Sequence, residues 1–393
     1  MTRAHVLPRD AAAIAGIGQT EFSRHAGRTE LQLASEAIVA ACADAQIEVA
    51  DVDGLVSYTI DPVEETELVR TVGLQEIGYS ARVPYGGGGS MGVLMHAAAA
   101  VASGVADIVV CYRAVRARSG ATRFGGAKVA VNVANTHAGT TASQWCMPHG
   151  ALTPASWIAL NATRYMHQYG ATNEDFGRAV VQLRTYAATN PAAWGYQRPM
   201  ALADHQASRW IAEPCIRMFD CCQETDGSVA VVVTSHERAA AMPHPPVGIA
   251  AVAGAARFEQ EIASDHYRPD LSVMESSAVL ARRLFDDAGF RRDEIDLAMI
   301  YDAFSPILFM QLEALGFCGP GEAKDFVGDG NLAPDGSLPC NTNGGLIGEG
   351  YIHGLNMVTE AVRQIRGTAA NPLPAVEVAL VSASRTGAIL TRS

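Results

Sequence analysis

Two short stretches of the chain carry side chains that could transfer protons, and one of them is rich in glycine. Residues 338–354 read LPCNTNGGLIGEGYIHG, with a helical pattern over 355–365 behind them, and Tyr301-Asp302-Ala303-Phe304 follows an earlier hydrophobic run. Glycine lets a ligand approach the main chain closely, and a glycine-rich turn before a helix presents unpaired N–H groups. The two stretches together suggest a binding site.

Both stretches resemble motifs of the thiolase superfamily. Thiolases carry a His-Glu-Ala-Phe-like box and later an Asn-x-x-Gly-Gly stretch that leads into Gly-His-Pro. Here the corresponding segments read YDAF and NTNGG followed by GEGYIHG, so Tyr301 and Tyr351 stand where the two histidines would be. The chain is similar to the sterol-carrier-type, lipid-transfer-protein-like branch, and within it to steroid side-chain retro-aldolases, which carry tyrosines at both places.

The resemblance covers nearly the whole chain and implies the α/β thiolase fold: two duplicated α/β halves in five layers (αβαβα) with an inserted loop domain. The sequence itself shows a duplication, because residues 44–58 align without gaps on residues 287–301. The glycine turn, helix and strand over 86–112 are likewise echoed over 344–382. We expect 1–112 and 226–243 to form the N-terminal half, 113–225 the loop domain and 244–393 the C-terminal half.

Local patterns place the elements of the first half. Apolar runs predict strands over residues 12–18, 52–60, 106–112 and 229–233. Periodic apolar residues predict a helix over 29–45, and an alanine-rich helix that opens at Gly86 and ends near Ser103.

The cysteines that the resemblance would require for acyl transfer are missing. A thiolase places a nucleophilic cysteine at the start of the helix after its first glycine-rich turn, where the helix dipole favours the thiolate. That turn reads GGGGSMG here, and no cysteine lies between Cys42 and Cys111. The second cysteine, expected near the last strand, is also absent from the VSASRTG segment. Transfer through a covalent thioester is not expected, and Ser90 is a weak substitute because no obvious base accompanies it.

A retro-aldol cleavage needs no nucleophile and suits the remaining groups. A base must take the proton of a β-hydroxyl, a donor must stabilise the departing thioester enolate, and an acid must protonate its α carbon. We expect Tyr301 and Tyr351 to share the proton transfers; the sequence does not assign base and acid between them. A phenol with its ordinary pKa of about 10 needs a positive neighbour or hydrogen bonds to act as a base. A buried tyrosine at a strand end is, without the motif, more often a packing residue.

Other residues are candidates for supporting or substrate-binding roles. Asp302 is expected to orient the turn, and His353 to donate or to pack. Asn341 and Asn343 could fix the turn by Asx-type hydrogen bonds, which we favour, or contact the ligand. The full supporting set is Asp302, Asn343, Gly344, Gly345, Gly350, His353, Ser90 and Gly387. Weaker candidates for pocket lining are His149, His266 and Tyr267. A basic stretch could bind nucleotide phosphates or be solvated surface; it consists of Arg113, Arg116, Arg118, Arg123 and Lys128.

Composition limits the class of protein and its partners. The 393 residues carry a formal net charge of -12 and are 49% hydrophobic and 18% charged, which suits a globular chain and disfavours nucleic acid as a partner. No run is apolar enough to span a bilayer, no signal peptide is evident, and eight cysteines without framework spacing suit a reducing cytoplasm.

The resemblance implies a steroid lyase that works with a partner. The expected products are a 17-keto steroid and propionyl-coenzyme A (CoA), formed from a steroid CoA thioester. The expected assembly is a heterotetramer, with a homodimer core and an accessory protein of OB-fold type with a zinc-ribbon-like segment. We expect no metal and no organic cofactor on this chain. Two alternatives remain open: a condensing or thiolytic enzyme that uses Cys340, and a carrier that binds acyl-CoA or lipid without turnover.

Overall fold

A computed structural model describes residue 7 and residues 9–84, 86–120, 146–256 and 268–393. Nine of the described strands form one mixed sheet in the order β3-β2-β4-β7-β1-β8-β11-β10-β9, and β5 pairs with β6 as a separate hairpin. The strands are β1 Ala12–Gln19, β2 Gly54–Tyr58, β3 Tyr79–Val83, β4 Ile108–Arg116, β5 Trp210–Ala212, β6 Ile216–Arg217, β7 Asp226–Ser235, β8 Val247–Gly254, β9 Leu297–Ile300, β10 Val378–Ala383 and β11 Thr386–Arg392.

The described helices are, in chain order, α1 Glu30–Ala45, α2 Glu65–Val72, α3 Gly92–Ala102, α4 Pro154–Tyr169, α5 Asn173–Thr189, α6 Leu202–Ala207, α7 His236–Ala240, α8 Glu275–Ala288, α9 Ser305–Leu315, α10 Ala323–Gly328, α11 Gly345–Gly348 and α12 Leu355–Arg366. Short 3-10 turns lie at Val49–Asp51, Gly86–Gly89, Met147–His149, Met218–Asp220 and Arg292–Glu294.

The duplication expected from the sequence is present in the strand pairings. In each half a parallel pair, β2 with β4 and β9 with β10, is extended by antiparallel strands, β7 and β1 in the first half and β11 and β8 in the second. The two halves join where β1 pairs with β8 at only two positions. The aligned segments 44–58 and 287–301 both run from a helix end through a 3-10 turn into the parallel strand.

The helices form layers on both sides of the strands. Helix α1 contacts β1, β4 and β7 of the first half, and α8 contacts β8 and β11 of the second. Helices α3 and α12 each contact strands of both halves, so they lie between them. Strands β4 and β7 are buried on both faces, which explains why their sequences are continuous apolar runs instead of an alternating pattern.

The strands and α1 lie within a few residues of their predicted positions, whereas the alanine-rich helix expected to open at Gly86 begins at Gly92, after a 3-10 turn over Gly86–Gly89. Helix α1 begins at Glu30 because Thr29 caps it: the Thr29 hydroxyl accepts from Gln32 N–H, and the Gln32 side chain accepts from Thr29 N–H. Strand β4 extends to Arg116, four residues past the boundary placed at 112, where it pairs with the first residues of β7. The division into domains stays a prediction.

Among the described residues, no helix combines the length and the apolar character needed to cross a bilayer.

Candidate active site

Tyr301 and Tyr351 meet inside the molecule. Tyr301 follows β9 directly and Tyr351 lies between α11 and α12, yet their hydroxyl oxygens are 2.8 Å apart. Their ring centroids are 6.4 Å apart with the planes inclined at 65°. Only 6% and 8% of the two residues is exposed. The two phenols therefore share one enclosed hydrogen bond.

Two amide side chains hold Tyr301 at the end of its strand. Asn341 pairs with Ile300 as a neighbouring strand would: its Nδ2 donates to the Ile300 carbonyl and its Oδ1 accepts from the Ile300 N–H, both at 2.8 Å. Gln311, on α9, donates from Nε2 to the Tyr301 carbonyl at 2.6 Å and accepts from Ser384 N–H at 3.0 Å. The backbone at Tyr301 is therefore fixed from two sides.

Asp302 organises the glycine turn. Its buried carboxylate accepts from Leu346 N–H at 2.8 Å and from Ile347 N–H at 3.3 Å, at the start of α11. A Cβ at Gly345 would lie 2.2 Å from Asp302 Oδ2, so only glycine fits there. Burial raises the pKa of Asp302 to about 7, against the opposing effect of the backbone donors. These contacts agree with an orienting role for Asp302. Its carboxylate occupies the N–H groups of the turn that the sequence suggested as a site for an anionic ligand.

Amide side chains surround a second buried carboxyl, Glu349. Asn343 and Asn356 donate to its Oε2 at 2.5 and 2.6 Å, and Asn190 lies 3.4 Å from Oε1. Asn343 also accepts from Gly345 N–H at 2.9 Å, which is the Asx-type contact expected from the sequence. Burial raises the pKa of Glu349 to about 8. The sequence analysis missed Glu349, although it stands between two glycines of the motif.

A buried cation stands next to the tyrosine pair. Arg113 donates from Nε to His353 Nδ1 at 3.0 Å and pairs through its terminal nitrogen with Asp61 at 2.8 Å. Since a guanidinium only donates, His353 Nδ1 accepts, and the proton of the neutral imidazole is on Nε2. Burial and Arg113 hold the pKa of His353 well below its usual value. The His353 ring lies 4.9 Å from the Tyr351 ring.

The pKa values of the two phenols are shifted by different neighbours. Burial raises the pKa of both tyrosines above the usual value. For Tyr301, the neighbouring Tyr351 raises the pKa further. For Tyr351, the hydrogen bond from Tyr301 and the charge of Arg113 act in the opposite direction and favour the phenolate. Tyr351 is therefore the phenol whose ionisation this site opposes less.

The first glycine-rich turn lies against the pair. A Cβ at Gly87 would come 1.8 Å from the Tyr301 hydroxyl, and one at Gly354 would come 3.1 Å from the Tyr301 ring. Ser90 is buried nearby, but its hydroxyl donates to the Gly87 carbonyl at 2.7 Å. That bond ties the Ser90 hydroxyl to backbone and gives it no activating base. The sequence analysis did not identify Gly87 as a residue that contacts Tyr301.

Three further glycines of the predicted set lie against packing side chains. A Cβ at Gly344 would meet Ala187, one at Gly350 would meet the Phe22 ring, and one at Gly387 would meet Leu284 of the outer helix. The turn before Gly387 reaches the first glycine turn instead: Arg385 N–H donates to the Gly88 carbonyl at 3.1 Å.

The weaker candidates are scattered. The expectation that Arg113 could meet a phosphate is wrong, because Arg113 is buried and engaged by Asp61 and His353. Arg116 lies 3.7 Å from Glu30, Arg118 is half-buried and His149 is exposed. Four candidates lie outside the described residues: Arg123, Lys128, His266 and Tyr267.

The thiols near the site are poorly suited to nucleophilic attack. Cys222 is close enough to raise the pKa of both tyrosines, and burial raises its own pKa well above the usual value. Cys340 is fully buried, and burial raises its pKa as well. Both side chains therefore favour the thiol over the reactive thiolate. Among the described residues, no group of histidine, cysteine and acidic side chains is arranged to hold a metal ion.

Comparison with known proteins agrees with this geometry. A model of the thiolase C-terminal domain-like family matches residues 259–392. The duplicated fold and the site together define a thiolase-fold protein whose central groups are phenols. The steroid side-chain-cleaving aldolase of Thermomonospora curvata is 50% identical over 378 residues, 96% of each chain. The present chain belongs to this family of aldolases and is a carbon–carbon lyase of thiolase fold.

Two further relatives extend this assignment. The 17-hydroxy-3-oxo-4-pregnene-20-carboxyl-CoA lyase of Mycobacterium tuberculosis is 47% identical over 372 residues, 95% of this chain and 96% of that one. The solved structure of an Ltp2-ChsH2(DUF35) aldolase matches with a TM-score of 0.93 and 48% identity over 99% of both chains.

Proposed function

We propose that this lyase cleaves the bond between the α and β carbons of a β-hydroxyacyl-CoA. The substrate is a 17-hydroxy steroid with a three-carbon side chain as its CoA thioester, and the products are a 17-keto steroid and propionyl-CoA. The observation that carries the proposal is the enclosed 2.8 Å hydrogen bond between the Tyr301 and Tyr351 hydroxyls. The substrate class is supported by the relatives, one of which is named a 17-hydroxy-3-oxo-4-pregnene-20-carboxyl-CoA lyase.

The reaction divides into two proton transfers around one bond cleavage. A phenolate takes the proton of the 17-hydroxyl, the alkoxide electrons form the ketone, and the pair from the broken carbon–carbon bond passes to the thioester enolate. A phenol then protonates the α carbon and gives propionyl-CoA. The atoms balance without water, oxidant or free CoA, and the chain needs no metal or organic cofactor of its own for these steps.

We assign the base to Tyr351 and the acid to Tyr301. Arg113 and the hydrogen bond from Tyr301 both favour the Tyr351 phenolate. For Tyr301, the Tyr351 and Asp302 charges add to burial and hold its proton. In a site that excludes water, a fixed cation stabilises developing negative charge more than it would in solvent.

The proposal includes an assembly in the cytoplasm. A homodimer of this chain would form the core of a heterotetramer, with an accessory protein of OB-fold type bearing a zinc-ribbon-like segment. It is supported by the match to an aldolase solved together with ChsH2(DUF35). The cysteines described here are all free thiols, which suits a reducing compartment.

The alternatives are less consistent with the site. A thiolytic enzyme built on Cys340 would need a thiolate where burial favours the thiol. A carrier without turnover would have no need for two phenols in hydrogen-bond contact, flanked by a buried cation.

The test is product analysis with the full chain and its partner. The 17-hydroxy steroid side-chain CoA thioester should give ketone and propionyl-CoA in equal amounts without added CoA. The matched thioester that lacks the 17-hydroxyl should bind and remain intact. Binding of both compounds without cleavage of either would support the carrier, and a requirement for free CoA would support the thiolytic enzyme.

A further inference from the structure

Arg184 is a buried cation without an anion. It lies on α5, only 6% of it is exposed, and its Nε has no hydrogen-bond partner. Within the described part of the chain, no carboxylate lies within ion-pair distance of it, whereas Arg113 and Arg366 each pair with an aspartate. Burial, with Arg198 as a second cause, lowers the pKa of Arg184. Burying a guanidinium unpaired costs stability, so the position needs an explanation.

The neighbours of Arg184 leave its charge uncompensated. Its guanidinium carbon lies 5.9 Å from the centroid of the Phe219 ring. A Cβ at Gly195 would come 3.3 Å from Arg184 Cδ, so the chain passes very near. The nearby cation Arg198 is exposed to solvent, and it adds positive charge beside Arg184. In a chain of net charge -12, a buried guanidinium without an acid, next to a second cation at the surface, points to an external anion.

An aromatic ring lies beside these cations. The guanidinium carbons of Arg24 and Arg198 are 4.7 and 5.1 Å from the centroid of the Trp194 ring. Trp194 and Gly195 donate their backbone N–H groups to the carbonyls of Glu349 and Gly348, at 2.8 and 2.9 Å. The cluster is therefore attached to the backbone segment that carries Tyr351.

We propose that Arg184 and Arg198, with Arg24 and Trp194 beside them, bind a phosphate group. A guanidinium presents a planar fork of donors that matches phosphate oxygens, and Arg is suited to a buried position such as that of residue 184, with the exposed Arg24 and Arg198 at the surface beside it. The phosphate comes either from the nucleotide end of a CoA thioester or from free phosphate. The first source rests on the proposed function; the second does not.

Calorimetric titration of the full chain separates the sources. The ligands are CoA, pantetheine (which lacks every phosphate) and inorganic phosphate, and the variant is Arg184→Met. The control is Arg178→Met on the same helix, whose arginine is exposed and pairs with Glu174 and Asp175. If the phosphate belongs to CoA, the variant weakens CoA by about tenfold or more and leaves pantetheine unchanged. If the site takes free phosphate, Arg184→Met loses its affinity for inorganic phosphate and keeps its affinity for CoA.

Stability without ligand distinguishes a binding role from a packing role. Arg184→Met removes an unpaired buried charge, so its melting temperature should not fall below that of the wild type. Arg184→Lys keeps the charge but loses the fork, and should bind with intermediate affinity. Unchanged affinity for CoA and for phosphate in both variants would overturn the proposal, as would a lower melting temperature with unchanged affinity. These experiments measure binding and stability and do not measure turnover. Either contradicting result would therefore leave the proposed cleavage reaction unaffected.

Discussion

The hydroxyl of Tyr301 lies 2.8 Å from that of Tyr351, although fifty positions separate the two residues in the chain. Three neighbours support this contact. Asn341 is hydrogen-bonded to the Ile300 backbone, Asp302 accepts hydrogen bonds from the start of α11, and Gly87 packs against the Tyr301 phenol. Asn341 and Asp302 hold the backbone in place, and Gly87 leaves room for the Tyr301 hydroxyl. The two phenols remain as the groups that can exchange protons.

The charge beside Tyr351 should set the pH dependence of turnover. Arg113 lowers the pKa of Tyr351, which burial nevertheless holds above 10. If Tyr351 is the base, the rate should rise with pH through the neutral range. Removing the whole ion pair with Arg113→Gln and Asp61→Asn raises that pKa and should move the rising limb to higher pH.

The control for that profile is a second ion pair. Arg366→Gln with Asp44→Asn removes a pair held at 2.8 Å elsewhere in the molecule. Initial rates of ketone formation against pH check the effect. A shift to lower pH, or equal shifts for both double variants, would contradict the assigned base.

The space at Gly87 should control the position of Tyr301. In Gly87→Ala the new Cβ would lie 1.8 Å from the phenol oxygen, so the side chain must move. A displacement of about 1 Å at a reacting group can cost about 100-fold in rate. Gly78→Ala is the control, because the nearest atoms would be 4.0 Å from its Cβ. Turnover and melting temperature are measured for both; full activity in Gly87→Ala would contradict the placement of Tyr301.

Cysteine chemistry should be dispensable. Cys340→Ala and Cys222→Ala each remove a thiol whose pKa burial has raised, and neither should lower turnover substantially. The assay is run below the melting temperature of each variant, because a buried Cys→Ala change also removes packing. Loss of turnover in folded Cys340→Ala would point to the thiolytic alternative.

Glu349 should make stability fall with rising pH. Its pKa rises from 4.5 to about 8 on folding, so the folded state keeps a proton that the unfolded state has lost. Its contribution is therefore present below pH 4.5 and is lost as pH rises toward 8. Glu349→Gln should flatten this slope, so its stability relative to that of the wild type should rise as the pH increases from about 5 to about 8.

Urea unfolding at several pH values measures that slope. Glu67→Gln, a change at an exposed position, is the control and should give a curve parallel to the wild type. A parallel curve for Glu349→Gln would mean that Glu349 is ionised in the folded state.

Much of the architecture could be predicted because its determinants are local. The Thr29 capping box and the gapless match of residues 44–58 to 287–301 lie within short segments, and both are present in the structure. The tyrosine pair could be placed because each phenol stands at a motif position.

Features that depend on distant partners could not be predicted. Arg113 read as part of a basic surface stretch, yet its partners Asp61 and His353 are 52 and 240 positions away. Gly387 lies in the segment that lacks the expected cysteine, and a Cβ there would meet Leu284 of α8, a contact that no local pattern indicates. The unpaired Arg184 had no sequence signal at all, because only folding reveals that its surroundings lack an acid.

The most direct measurement is the rate of ketone formation by Tyr301→Phe and Tyr351→Phe, assayed with the partner protein. Tyr186→Phe is the matched control, since this buried phenol donates to the Leu332 carbonyl at 2.9 Å. Each site variant should lose about 100-fold or more while remaining folded, the scale of general acid–base catalysis, and Tyr186→Phe should keep its rate. Near-wild-type rates in both Tyr301→Phe and Tyr351→Phe would contradict phenol-driven cleavage.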